Sequence, residues 1–287
     1  MSDVRFTPGG VRLRRHGTTP GSLNWLFLPG GPGIGAESLI DLVACTRPPG
    51  TSWLVDLPGD GSNTAAPGAP ADPYERWPHV LVEAVGAVPN PVAVGHSTGG
   101  EYLLATPAIE PLLTGLVLVS TAPHAGWMPV FAEMTRANPI PEVDAAAARH
   151  EADPTVATLR DLAVATAPWN FTPGGLAAGA RLLAAMPYNP SAVAWSDEHF
   201  DHDYVAAWLP ERLPTLIVSG AQDRIVTQRL WDDPRYRGPN VARVVVDGAA
   251  HFPWIDRPDE VGRVIRSWAA GVPKDRPTVA QRDPAPG

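Results

Sequence analysis

Six short apolar runs, each strand-sized, constrain this chain more than any other feature. They are Trp25-Leu26-Phe27-Leu28, Ser52-Trp53-Leu54-Val55, Val92-Ala93-Val94, Leu116-Val117-Leu118-Val119, Thr215-Leu216-Ile217-Val218 and Ala242-Arg243-Val244-Val245-Val246. A strand apolar at nearly every position needs cover on both faces, the condition of a parallel sheet clothed by helices. Helical patterns occupy 36–45, 74–88, 98–106, 225–233 and 258–270. The last opens on Pro258 with Asp259 and Glu260 in its first turn, a helix-start signal. The alternation predicts an α/β fold: a doubly wound, mostly parallel sheet. The opening VRFTPGGVRLRR instead predicts a hairpin turning at Pro8-Gly9-Gly10, an antiparallel pair at one sheet edge.

One region breaks the alternation. Residues 123–204 are rich in Ala and Pro, show no strand pattern, and predict helices near 127–137, 142–150, 155–166 and 173–186. The expected organisation is a first core part over 1–122, a helical cap inserted over 123–204, and a second core part over 205–271. The insertion falls between the fourth and fifth parallel strands. The remaining 272–287, VPKDRPTVAQRDPAPG, has almost no large apolar residue and is expected to be unstructured.

Composition narrows the partners. With 287 residues, 44% of them hydrophobic, the chain can bury a substantial core. No apolar run approaches the roughly 20 residues of a membrane span. The first residues carry no apolar stretch of the signal-peptide kind, so a cytoplasmic location without membrane is expected. The net charge is −8, and the basic residues are scattered apart from Arg12, Arg14 and Arg15, so nucleic acid is not an expected partner. A single Cys45 excludes an intramolecular disulfide and a cysteine-based metal cluster. In its Pro-rich context it reads as a small structural residue.

Ligands of open parallel sheets bind beyond the carboxyl ends of the strands, so those ends are read together. The first expected parallel strand ends in Pro29-Gly30-Gly31-Pro32-Gly33, a loop whose glycines leave backbone N–H groups unobstructed. The second ends in Asp56-Leu57-Pro58-Gly59-Asp60-Gly61-Ser62, turn chemistry in which both aspartates read as structural. The third ends in Gly95-His96-Ser97-Thr98-Gly99, directly before a helix pattern. A G-x-S-x-G at a strand-to-helix turn exposes its serine on a strained backbone, and small neighbours relieve the crowding. The Thr98 N–H at the helix start, with an N–H from the PGGPG loop, would serve as oxyanion donors.

A serine hydroxyl needs a base. Of eight histidines, His251 follows the last strand in VVVDGAAHFPWIDRP and can reach over the sheet edge. His96 is expected to point away from Ser97. His124, in STAPHAG, could line the pocket. Asp223, in SGAQDRIV after the fifth strand, would orient His251. The chain order is then Ser, Asp, His.

The pieces LPGGPG, VDLPGDG, GHSTGG, SGAQDRIV and GAAHFPWIDRP, in that order, resemble an α/β-hydrolase-fold enzyme over roughly residues 4–271. GGPG and HFPW are similar to the proline iminopeptidase-like group, whose loop reads HGGPG. That resemblance implies Gly31 and Thr98 as the oxyanion hole and an activity that needs no metal or cofactor. Two positions depart from the group: Pro29 stands for its His, and Thr98 for its bulky Trp. No cap carboxylate stands out to hold a substrate amine among Glu133, Glu142, Glu198 and Asp201. Trp127, Trp169 and Trp195 of the insertion, with Trp254 after His251, are expected around an apolar pocket. The expected function is serine-dependent cleavage of an ester or amide of a small to medium, largely apolar small molecule. The alternatives are an aminopeptidase, a C–C hydrolase or lyase, and a non-catalytic ligand-binding protein on this fold.

Overall fold

The computed structural model describes residues 3–274. Its frame is one eight-stranded sheet in the order β1-β2-β4-β3-β5-β6-β7-β8. The strands are β1 (Val4–Phe6), β2 (Arg12–Thr18), β3 (Asn24–Leu28), β4 (Thr51–Asp56), β5 (Pro91–His96), β6 (Gly115–Val119), β7 (Thr215–Gly220) and β8 (Val241–Val246). β1 and β2 form the expected edge hairpin, with Val4 opposite Arg14. Its turn closes through Gly10 N–H to Thr7 O at 3.0 Å. From β4 to β8 the pairing is parallel. The register sets Leu28 beside Gly95, His96 beside Val119 and Gly220 beside Val246. The segments after these strands therefore leave from one edge of the sheet.

Side chains of a strand alternate between faces. Trp25 and Phe27 bury one way with Val92, Val94, Val117 and Val119, against α1 (Ile40–Thr46), α10 (Pro253–Asp256) and α11 (Pro258–Ala269). Leu26 and Leu28 bury the other way with Ala93, Leu116 and Leu118, against α2 (Trp77–Gly86) and α3 (Thr98–Ala105). This two-sided burial is why those runs are apolar throughout. β8 departs from the expectation. It is the sheet edge, and Val245 is 47% exposed, because no strand and little helix covers that side.

Between β6 and β7 lie α4 (Met128–Ala137), α5 (Pro141–Ala152), α6 (Val156–Ala165), α7 (Ala167–Asn170), α8 (Leu176–Ala185) and α9 (Pro190–His199). The helical insertion expected there is present. α9 was not expected, although Asn189 caps its N-terminus by accepting from Ser191 N–H at 3.0 Å and Pro190 stands at its first position. The helix expected at 225–233 does not form. Only short 3-10 turns occur, at Gln228–Asp232 and Pro234–Tyr236. The Asp223 carboxylate takes the N–H groups of Ile225 and Val226, and the Trp231 indole donates to Thr121 O, so side-chain bonds fix this stretch as a loop. At the C-terminal end Val272 is buried in the core, and residues 275–287 of the stretch expected to be unstructured lie outside the described residues. No described helix is long and apolar enough to cross a membrane.

Candidate active site

Ser97 stands between β5 and α3 with φ 49° and ψ −127°, a conformation that non-glycine residues rarely adopt. Its N–H donates to Val119 O at 2.9 Å, and its carbonyl accepts from Gly100 N–H at 2.8 Å. The flanking glycines are demanded by contact. A Cβ on Gly95 would lie 2.6 Å from Gly100 Cα. One on Gly99 would lie 2.7 Å from Leu28 O and still closer to Pro29 O. The turn can only be made where β3 and β5 release their loops side by side.

Asp223 leaves β7 with its side chain 1% exposed. Its Oδ1 accepts from Ile225 N–H and Val226 N–H, both at 3.0 Å. The carboxylate lies 3.1–3.2 Å from His251 Nδ1. The His251 N–H donates to Asn170 O of the insertion at 3.1 Å. A cavity of about 230 Å³ has Ser97, His251, Gly31 and Thr98 in its wall. The same wall holds Gly30, Ile34, His96, Trp127, Phe131, Ala163, Thr166, Asn170, Leu183, Ile225 and Phe252. It contains no Asp, Glu, Lys or Arg.

Gly31 has φ 125°, and a Cβ there would lie 2.9 Å from Ile34 N. The Thr98 hydroxyl donates to Gly31 O at 3.1 Å and so ties the serine turn to the PGGPG loop. Asp56 and Asp60 brace the turns next to this loop. Asp56, fully buried, accepts from Ala36 N–H at 2.9 Å and pairs with Arg12 and Arg14. Asp60 accepts from Gly61 N–H at 3.0 Å, and the Gly33 N–H is directed at its carboxyl. Burial, with Asp56 beside it, pushes the Asp60 carboxyl well above the ordinary range.

His96 does not point away as expected. Its Nε2 bonds to His251 O at 3.1 Å, and its ring centroid lies 4.9 Å from that of His251. Burial, and then the neighbouring His251, holds its pKa well below the usual value. Its Nδ1 is buried without a partner, so a neutral ring suits the site. His124 is turned elsewhere: its Nδ1 accepts from Gly126 N–H at 3.1 Å, outside the cavity wall. Of the four tryptophans only Trp127 reaches the wall. Trp169 packs edge-on against Phe131, Trp254 against His96, and Trp195 against Tyr74 and Trp77. Phe131 and Leu183, which sequence reasoning did not single out, line the cavity because α4 and α8 turn those faces inward. Helical spacing from Trp127 was the one signal that could have found Phe131. A second cavity of about 610 Å³, floored by Leu104, Leu118, Ile217 and Trp231, has none of these groups in its wall.

A family model described as the alpha/beta hydrolase family matches residues 16–264. The chain belongs to the alpha/beta hydrolase family. This alpha/beta hydrolase is similar to a pimeloyl-[acyl-carrier protein] methyl ester esterase of Xanthomonas campestris pv. campestris, 28% identical over 232 residues, 77% of this chain and 85% of the relative. In structure it is similar to a proline iminopeptidase-related protein from Thermus thermophilus. That match has a TM-score of 0.68 and 20% identity and covers 95% of this chain and 98% of the other. An α/β fold family hydrolase from Bacillus anthracis str. Sterne matches with a TM-score of 0.72 at 16% identity, over 93% of this chain and 99% of the other. The fold is shared across these proteins, and the family makes this chain a hydrolase.

Proposed function

We propose that this alpha/beta hydrolase is a serine esterase acting on a small, largely apolar, uncharged ester, with Ser97, His251 and Asp223 as its triad. His251 Nε2 takes the proton of Ser97 Oγ as the oxygen attacks the ester carbonyl carbon. The N–H groups of Gly31 and Thr98 stabilise the oxyanion. His251 then protonates the departing alcohol, leaving an acyl-Ser97 ester. Water, deprotonated by His251, attacks that ester and releases the acid. Asp223 holds the imidazole with its Nδ1 proton inward and stabilises the imidazolium. We take residues 123–204 as the cap that closes this site over core parts 1–122 and 205–271.

The observation that carries the reading is the cavity wall, where Ser97, His251, Gly31 and Thr98 converge among neutral side chains. An aminopeptidase needs a counter-charge for its substrate's ammonium group, and the wall offers no carboxylate. The name of the Xanthomonas relative, a methyl ester esterase, points the same way. The test pairs a fluorophosphonate probe with short-chain p-nitrophenyl esters and a proline arylamide. We expect a stoichiometric adduct on Ser97, lost in Ser97→Ala, and turnover of the esters far above the arylamide. A folded parent chain that takes no label would sink the reading, and faster arylamide cleavage would replace esterase with aminopeptidase.

A further inference from the structure

The seam between the insertion and the PGGPG loop is built from backbone. Gly35 N–H donates to Pro187 O at 3.1 Å, Asn189 N–H donates to Gly33 O at 2.8 Å, and Ile34 and Tyr188 form an antiparallel bridge between them. On the loop side neither Gly33 nor Gly35 has room for a side chain. A Cβ on Gly33 would lie 2.6 Å from Asn189 O, and Gly33 has φ 83°. Cβ atoms on Gly35 and Gly61 would meet Pro187 and Gly35 respectively. Beyond its backbone bond, the Asn189 side chain reaches across to the turn beneath. Its Nδ2 donates to Gly59 O and lies 3.3 Å from the Tyr74 hydroxyl, while its Oδ1 caps α9. The Gly33 carbonyl is thereby held by Asn189, while the Gly33 N–H faces the Asp60 carboxyl. Gly31 turns directly on these atoms, since a Cβ there would lie 3.0 Å from Gly33 N and 2.9 Å from Ile34 N.

We propose that Asn189 is a positioning residue for the oxyanion hole: by bonding Gly33 and Gly59 together it fixes the Gly31 peptide, so this hole is assembled by the cap and not by the core alone. The inference rests on the esterase reading above. A residue that sets the aim of an oxyanion donor affects the transition state and leaves ground-state binding almost untouched. Asn189→Asp separates this role from simple helix capping. Aspartate caps a helix as well as asparagine does, but it removes the Nδ2 donor and sets a second acceptor against Gly59 O.

The experiment measures kcat and KM on a short p-nitrophenyl ester, together with the affinity for two inhibitors of matched shape. A trifluoromethyl ketone binds as a hemiketal oxyanion, and the corresponding secondary alcohol forms no oxyanion. We expect Asn189→Asp to lower kcat by roughly 10- to 100-fold with KM within about threefold. Ketone affinity should fall by the same factor as kcat/KM while alcohol affinity holds. Tyr74→Phe, which removes the longer of the two Asn189 Nδ2 contacts and leaves the one to Gly59 O, should show the same pattern more weakly, and it carries the test if Asn189→Asp does not fold. Thr155→Ala removes the capping box of α6 without touching the seam, and serves as the control for general loosening of the cap. Unchanged ketone affinity, a parallel loss of alcohol affinity, or an equal effect from Thr155→Ala would overturn the inference. The parent chain is labelled with the fluorophosphonate first. Failure at that step overturns the esterase reading, whereas a labelled parent with an indifferent Asn189→Asp overturns only the role of Asn189.

Discussion

Ser97 and its neighbours show how little freedom single positions have at this turn. Gly99 sits where any Cβ strikes the carbonyls of Leu28 and Pro29. Gly99→Ala is expected to cost about 2–4 kcal/mol of stability and to displace the PGGPG loop. A melting curve, read beside ester turnover, checks both. Asp223 makes two kinds of contact: it accepts from the Ile225 and Val226 N–H groups, and it lies against His251 Nδ1, which in the proposed triad it orients. Asn at this position keeps an acceptor for the first kind but offers an N–H₂ or a single oxygen to His251 for the second. Asp223→Asn should therefore fold with a near-parental melting temperature and lose about 10³- to 10⁴-fold in kcat. A loss below tenfold would mean that another group orients the imidazole. At this scale the sequence was readable for a physical reason. The residues that converge at the cavity lie at strand ends, and strand ends are marked by the break between an apolar run and glycine-rich turns. The cavity wall was not readable in the same way. Trp169, Trp195 and Trp254 were expected around the pocket but pack behind it, since which face of a helix turns inward depends on its tertiary neighbours.

The elements were legible to the degree that hydrophobic burial sets them. The strands β3 to β7, buried on both faces, were found from apolar continuity alone, and the β1–β2 hairpin from its turn. Where hydrogen-bonding side chains decide, the pattern misleads. The 225–233 stretch has helical spacing, yet Asp223 and Trp231 hold it as turns. α9 lacks a clear apolar stripe and is set by its Asn189 cap and Pro190. α4 and α8 set pocket size through Phe131 and Leu183. Phe131→Ala is expected to enlarge the cavity and shift the preferred p-nitrophenyl ester toward longer acyl chains. A kcat/KM series from acetate to octanoate reads the shift, and an unchanged optimum would place the acyl group elsewhere.

Across the whole molecule, buried acids with raised pKa values make stability depend on pH, and Glu101 carries one part of that dependence. Glu101, on α3 one turn beyond Ser97, is 2% exposed, and its carboxyl is pushed from the ordinary 4.5 to about 8. Burial is the main cause and the nearby Asp201 charge adds to it, while the Trp127 indole works in the opposite direction. The folded chain thus keeps a proton that the unfolded chain releases above pH 4.5. The Glu101 contribution to stability should fall as pH rises from about 4.5 to about 8 and level off beyond. At about 1.4 kcal/mol per unit, the loss from this group amounts to up to about 5 kcal/mol. Urea unfolding at several pH values should show this slope, and Glu101→Gln, uncharged throughout, should make it shallower and leave the part that Asp60 carries.

The bond from His251 N–H to Asn170 O has a consequence for engineering. Caps of this fold invite treatment as exchangeable modules, to be grafted between relatives for new selectivity. Here the loop that bears His251 is fastened to the insertion by this main-chain bond and by the Asp256 carboxylate, which accepts from the Thr172 N–H and hydroxyl, and no substitution in the graft can restore the main-chain bond unless the donor cap brings a carbonyl to the same point. A transplanted cap would deliver its own pocket to a histidine left without its anchor. Recombination of this protein should therefore cut the chain so that 167–172 travels with the 247–257 loop, inheriting both halves of the fastening from one parent.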